Sequence, residues 1–100
     1  MEHVNELNEE ILAKNGFEKI KCIYIDDYFW RLDVKFEDIE NKEVHLWSID
    51  VDKYDNYFIV DGEYYANGEL YGQISHFRVQ EINELQDLLS ILKLDKKIII

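Results

Sequence analysis

Residues 79–100 read VQEINELQDLLSILKLDKKIII, and within them Ile82, Leu85, Leu88, Leu89 and Leu92 recur at spacings of three and four. At 100° per residue these side chains fall within an arc of roughly 120°, the width of the stripe that a surface helix buries. Glu81 and Glu84 stand in its first turn and Lys93 near its last, each at the helix pole that favours its charge. The stretch therefore predicts an amphipathic helix laid on a core, and the rest of the chain must supply that core.

Working back from this helix, Ile74 to Val79 predicts a strand that leads directly into it. Asn67-Gly68, between Tyr64-Tyr65 and Leu70-Tyr71, is a two-residue hairpin signal. Tyr57 to Val60 predicts a strand that Asp61-Gly62 breaks, and Asp52 to Asn56 a turn. Val44 to Val51 alternates, with His45, Trp47, Ile49 and Val51 on one face. Trp30, Leu32, Val34 and Phe36 alternate with Arg31, Asp33 and Lys35, the pattern of a half-buried strand. Asp38 to Glu43 turns the chain at Asn41-Lys42. Ile20 to Ile25 is β-branched and apolar, which predicts a first strand closed by a turn at Asp26-Asp27.

Near the N-terminus, Leu7, Ile11 and Leu12 share one helical face, and Val4 extends it if the helix starts early. Asn8 predicts an N-cap, with Glu9 and Glu10 in the first turn, and Asn15-Gly16-Phe17 a left-handed stop with an apolar contact. The order is helix, four to six antiparallel strands, helix. It predicts an α+β fold in which a meander sheet carries both helices on one face. One domain, residues 1–100, suits the length. Proline is absent, so exposed sheet edges must be guarded by charge.

The tail Ile98-Ile99-Ile100, after a turn at Asp95-Lys96, is apolar enough to dock. An extended segment of this composition adds most naturally to a sheet edge, either of its own chain or of a second copy in a homodimer.

Hydrophobic residues make up 47% of the chain and charged ones 33%, with a net charge of −11, a composition that folds. The charge is concentrated. Residues 26–69 hold thirteen acids against four bases, so −9 of the −11 lies there. That field repels nucleic acid and anionic membranes and attracts basic protein surfaces. No apolar run approaches the ~20 residues needed to span a bilayer, and MEHVNELNEE is acidic where a secretory signal is basic and then apolar. A cytoplasmic protein is the expectation, and the lone Cys22 suits a reducing compartment.

Ile11-Leu12-Ala13-Lys14-Asn15-Gly16-Phe17 and Ile82-Asn83-Glu84-Leu85-Gln86-Asp87-Leu88-Leu89 resemble phrases shared by small uncharacterised proteins of gut bacteria and of their phages and mobile elements. That group often has His where this chain has Asn83. The resemblance implies a phage or mobile-element context and brings no activity and no catalytic residue with it.

Chemistry is narrowed mainly by exclusion. Asp50-Val51-Asp52-Lys53-Tyr54-Asp55 opens like a calcium loop and Asp61 stands at its twelfth position. Yet Tyr54 occupies a ligand position, Asp55 replaces the turn glycine, and Asp61 is too short for the bidentate glutamate. His3, His45 and His76 lack metal-ligand spacing, and His45 reads as structural. Gly62, Gly68 and Gly72 form no phosphate loop, and Cys22 reads as a small buried hydrophobe rather than a nucleophile. No catalytic residue, cofactor or metal is expected.

What remains is a surface in which Tyr54, Tyr57, Tyr64, Tyr65 and Tyr71 are interleaved with Asp52, Asp55, Asp61, Glu63 and Glu69. Tyrosine offers a large rigid contact with a polar tip, and neighbouring acids favour a basic partner. The expected function is a non-catalytic protein-binding module. Its alternatives are a nucleic-acid mimic that occupies the basic groove of a host defence or regulatory protein, and a small enzyme or glycan-binding module using the tyrosines.

Overall fold

A computed structural model describes residues 5–94 and 96–100. His3, Val4 and Asp95, each given a place in the sequence reading, lie outside them. The elements run α1 (Glu9–Lys14), β1 (Glu18–Lys21), β2 (Tyr28–Asp38), β3 (Glu43–Lys53), β4 (Phe58–Ala66), β5 (Glu69–Val79) and α2 (Ile82–Ile91). The five strands form one antiparallel sheet in sequence order. The fold is the expected α+β meander with both helices on one face.

Local chemistry fixes both helices. The Asn8 side chain accepts from the Ile11 amide at 2.9 Å and caps α1. The Glu84 carboxylate accepts from the amides of Gln80 and Glu81 at 3.0 and 2.9 Å at the start of α2. Both helices end in the same Schellman pattern. In α1 the Gly16 amide donates to Ala13 and the Phe17 amide to Leu12, while in α2 the Lys93 amide donates to Ser90 and the Leu94 amide to Leu89. Phe17 and Leu94 then turn inward and are buried.

Gly16 takes the left-handed position at φ +89°, but in α2 the same position is held by Lys93 at φ +60°. Lys93 therefore lies beyond the last turn rather than within it. A side chain there costs ~1–2 kcal/mol, and glycine loses ~0.4–1 kcal/mol more entropy on folding. Lys93→Gly is accordingly expected to stabilise the chain by about 0.5–1 kcal/mol in a urea titration, with the m-value unchanged.

The core lies between the helices and one half of the sheet. Leu12, Ile49, Val51, Val60, Val79, Leu85 and Leu89 are fully buried there. β2, β3 and β5 have 11 residues each and α2 has 10. At ~3.3 Å per strand residue and ~1.5 Å per helical residue, those strands span about 36 Å and α2 about 15 Å. The helices can cover only the half of the face near Trp30, Val51 and Val60, and among the described residues no helix lies over the half near Phe36, His45 and Ala66.

Three sequence expectations are corrected by the sheet. β1 stops at Lys21 because it pairs only with Tyr28 to Arg31. Ile23, Tyr24 and Ile25 instead lie in a loop, closed by a Cys22 amide bond to Asp27, where Ile23 and Tyr24 are 89% and 94% exposed. Asp61-Gly62 does not break β4. Gly62 pairs with Ile49 and Ile74, and a Cβ there would stand 3.1 Å from the Ile74 side chain, so the glycine admits a close-packed neighbour within a continuous strand. The segments around Leu70-Tyr71 and Ile74 to Val79 are likewise one edge strand, β5, whose register with β4 shifts between Val60 and Gly62 and again between Tyr64 and Tyr65. At the first shift His76 adopts φ +56° and its amide bonds the Asp61 carboxylate at 2.9 Å.

The tail docks within the chain, but not on a sheet edge. Asn15 accepts from the Ile99 amide at 2.7 Å and donates to the Ile99 carbonyl at 2.8 Å. Gln86 of α2 accepts from the Ile98 amide at 2.7 Å and donates to the Lys96 carbonyl at 2.9 Å. Two side-chain amides thus give the tail backbone the partners that a neighbouring strand would have given. Ile98 packs partly against the core, while the side chains of Ile99 and Ile100 remain exposed.

Candidate functional site

Strand alternation divides the sequence-predicted surface between two faces, because Tyr64 and Tyr65 are consecutive residues of β4 and must point oppositely. Asp52, Asp61, Glu63 and Tyr65 lie on the face away from the helices, together with Asp33 and Asp50. Tyr64, Glu69 and Tyr71 lie on the helix-bearing face at its uncovered end. Tyr54, Asp55 and Tyr57 sit in the β3–β4 turn, where the two tyrosine rings stack at 5.2 Å and Arg78 lies 4.0 Å from the Tyr57 ring.

The outer face is crowded with carboxylates. Asp50 stands opposite Asp61, Ser48 between Asp33 and Glu63, and Asp52 one side-chain position further along β3. Arg31 makes a two-pronged bond to Asp50 at 2.8 and 3.2 Å, and the hydrogen bond to Asp50 raises its own pKa further. Partial burial, and then the charges of Asp61, Asp50 and Asp27, push the Asp52 carboxyl above its ordinary value. Tyr65 donates to Glu63 at 2.6 Å, which raises the phenol's pKa.

Asp50 and Asp52 belong to strand β3 rather than to a turn, so the calcium-like run is not a loop. No group of residues spaced to hold a metal ion is found among the described residues.

The raised Asp52 fixes a sign. The folded state binds this proton more readily than the unfolded chain, so ionised Asp52 lowers stability at neutral pH and the loss fades as pH falls toward its ordinary range. Asp52→Asn is expected to stabilise the fold at pH 7 by up to about 1 kcal/mol, less than full burial would give because the group is partly solvated. The advantage should disappear in thermal melts below about pH 4. Glu9 on α1 has the opposite sign. Burial opposes its ionisation, but the hydrogen bond from the Trp30 indole at 2.9 Å and the Lys53 ammonium at 3.3 Å overcome that, and its pKa is lowered.

At the uncovered end of the other face, four rings lie side by side. Phe36 stacks on His45 at 4.9 Å, His45 on Tyr64 at 5.8 Å, and Tyr64 on Trp47 at 5.2 Å. His45 lies within 3.2 Å of the Glu43 carboxylate through Nε2, and its Nδ1 contacts the Tyr64 hydroxyl. Beside them is an open recess of about 470 Å³ lined by Glu43, Tyr64, Ala66, Asn67, Glu69 and Tyr71.

Tyr71 reaches this recess because of the second register shift. Tyr64 pairs with Gly72 and Tyr65 with Leu70, so Tyr71 is the extra residue of a bulge and turns to the side of Glu69. Its hydroxyl donates to that carboxylate at 3.1 Å. The Asn67-Gly68 turn, with φ +51° and +85°, forms the rim, and Asn67 is tied to the Val44 backbone at 2.8 and 2.9 Å.

Glu43, His45, Trp47 and Asn67 were not picked out as interaction residues in the sequence. The usable signal was the excess length of an alternating strand over the helices available to cover it. No protein-family model, curated protein or solved structure matches the chain.

Proposed function

We propose that this chain is a small non-catalytic protein-binding module, working in the cytoplasm in a phage or mobile-element context, whose partner presents a basic surface. The observation that supports it is the outer face of β2 to β4. There Asp33, Asp52, Asp61 and Glu63 stand on neighbouring hydrogen-bonded strands, while of the cations on the same face Arg31 is engaged by Asp50, Arg78 lies over the Tyr57 ring and Lys35 stands toward the strand end. Such a face steers a cationic partner toward itself and repels nucleic acid and anionic lipid.

The test uses the purified chain as bait and a triple variant, Asp52→Asn, Asp61→Asn and Glu63→Gln, as its comparison at low and high salt. A basic protein retained by the parent at low salt and lost both by the variant and at high salt is the expected result. Identical capture by both baits sinks the reading. If every protein captured by the parent is nucleic-acid-binding, the carboxylates act as phosphate mimics; otherwise the chain is a more general adaptor.

A further inference from the structure

We propose that the recess between Tyr64 and Tyr71 receives a cationic side chain of a protein partner, arginine in preference to lysine. This rests on the reading of the partner as basic, and it names a second contact, on the opposite face of the sheet from the carboxylate surface. The recess is lined by two phenol rings, two carboxylates, one amide and one methyl group, and by no cation.

Each lining group presents a feature suited to a guanidinium. His45 faces the Glu43 carboxylate through Nε2 and the Tyr64 hydroxyl through Nδ1, so its ring is held between a carboxylate and a phenol that both line the recess. Whichever partner supplies the proton of that contact, the Tyr64 oxygen keeps at least one lone pair for an incoming N–H. Tyr71 donates to one oxygen of Glu69, leaving the other carboxylate oxygen able to accept. The Tyr71 ring is 67% exposed at the mouth, placed for a planar cation to lie on it.

Other occupants fit less well. An anion would face Glu43 and Glu69, and an apolar group would strip water from both carboxylates without replacing its hydrogen bonds. A lysine ammonium satisfies the charge but lacks the planar fork with which a guanidinium can lie on a phenol ring while its edge bonds a carboxylate. The walls are set beforehand by the turn at Asn67-Gly68 and its ties to Val44, so little ordering is required on binding.

The experiment is a titration of the full chain with acetyl-Gly-Arg-Gly-amide, followed by amide NMR shifts, with acetyl-Gly-Lys-Gly-amide and sodium chloride at equal ionic strength as comparisons. Saturable shifts centred on Asn67, Gly68, Glu69 and Tyr71, larger for the arginine probe and absent with salt, are the expected outcome. Glu69→Gln and Tyr71→Ala should each weaken binding by about threefold to tenfold. Both side chains are exposed, and unchanged shifts elsewhere confirm that each variant folds. Shifts centred on Asp50, Asp61 and Glu63 would overturn the recess while leaving the basic-partner reading standing. Shifts that do not saturate, or that salt reproduces, would overturn the recess outright, and the capture experiment then decides the broader reading alone.

Discussion

Leu85→Ala and Leu89→Ala are each expected to destabilise the fold by about 2–5 kcal/mol, the cost of emptying a buried leucine site that cannot fully collapse. Both side chains have no exposed surface, and they lie at the centre of the α2 stripe against Ile49, Val51, Val60 and Val79. A domain of this size has about 5–15 kcal/mol in total, so either variant should show a greatly lowered denaturant midpoint and the pair together should fail to fold. Ile91→Ala is the control, on the same helix but 74% exposed, and should change stability by less than about 0.5 kcal/mol. Equal losses at Ile91 and Leu85 would mean that the helix does not cover the core.

Asn15→Ala is expected to cost about 2–4 kcal/mol, although asparagine at a helix end is ordinarily a minor residue. Asn15 is only 5% exposed, and its side chain donates to the carbonyls of Ile11 and Ile99 while accepting from the Ile99 amide. Removing it strands the amide and the carbonyl of Ile99, each costing ~1–3 kcal/mol where no water can replace the lost partner, while the Ile11 carbonyl keeps its bond from the residue-15 backbone amide at 3.1 Å. Hydrogen exchange at the Ile99 amide should accelerate together with the fall in melting temperature. Deleting residues 98–100 should reproduce much of this loss at every protein concentration. A loss that depends on concentration, with a dimer disappearing in light scattering, would instead place the tail on a second copy.

The two halves of the fold differ in how far the sequence discloses them. α2, the strands β2 and β3 and the Asn67-Gly68 turn follow from periods of 3.6 and 2 and from a turn dipeptide whose backbone needs are local. Gly62 was misread because its reason is Ile74 packing over it from the neighbouring strand, which no local window contains. Ile23 to Ile25 were misread because β propensity without a partner makes no strand. Asn15 was legible as a helix stop, but its bonds to Ile99 span 84 positions, and a cap residue looks the same whether or not its side chain also grips a distant segment. The arrangement of the interaction surface was the least legible part. Its ten candidates were chosen by composition, whereas strand parity, the β5 bulge and the reach of the helices decide which of them can meet.

β5 forms one border of the sheet along its full length, in a chain without proline. Laid against a copy of itself it would have to match a row of amides and carbonyls twice thrown out of step, at Tyr71-Gly72 and at Ser75-His76. At the opposite border, the part of β2 beyond Arg31 that β1 leaves unpaired carries Asp33, Lys35 and Glu37 in alternation. Neither border is a straight template for cross-β stacking, the usual fate of a long uncapped strand. The irregularity that turns Tyr71 toward its recess thus also interrupts the regular row of edge groups that strand-on-strand addition needs.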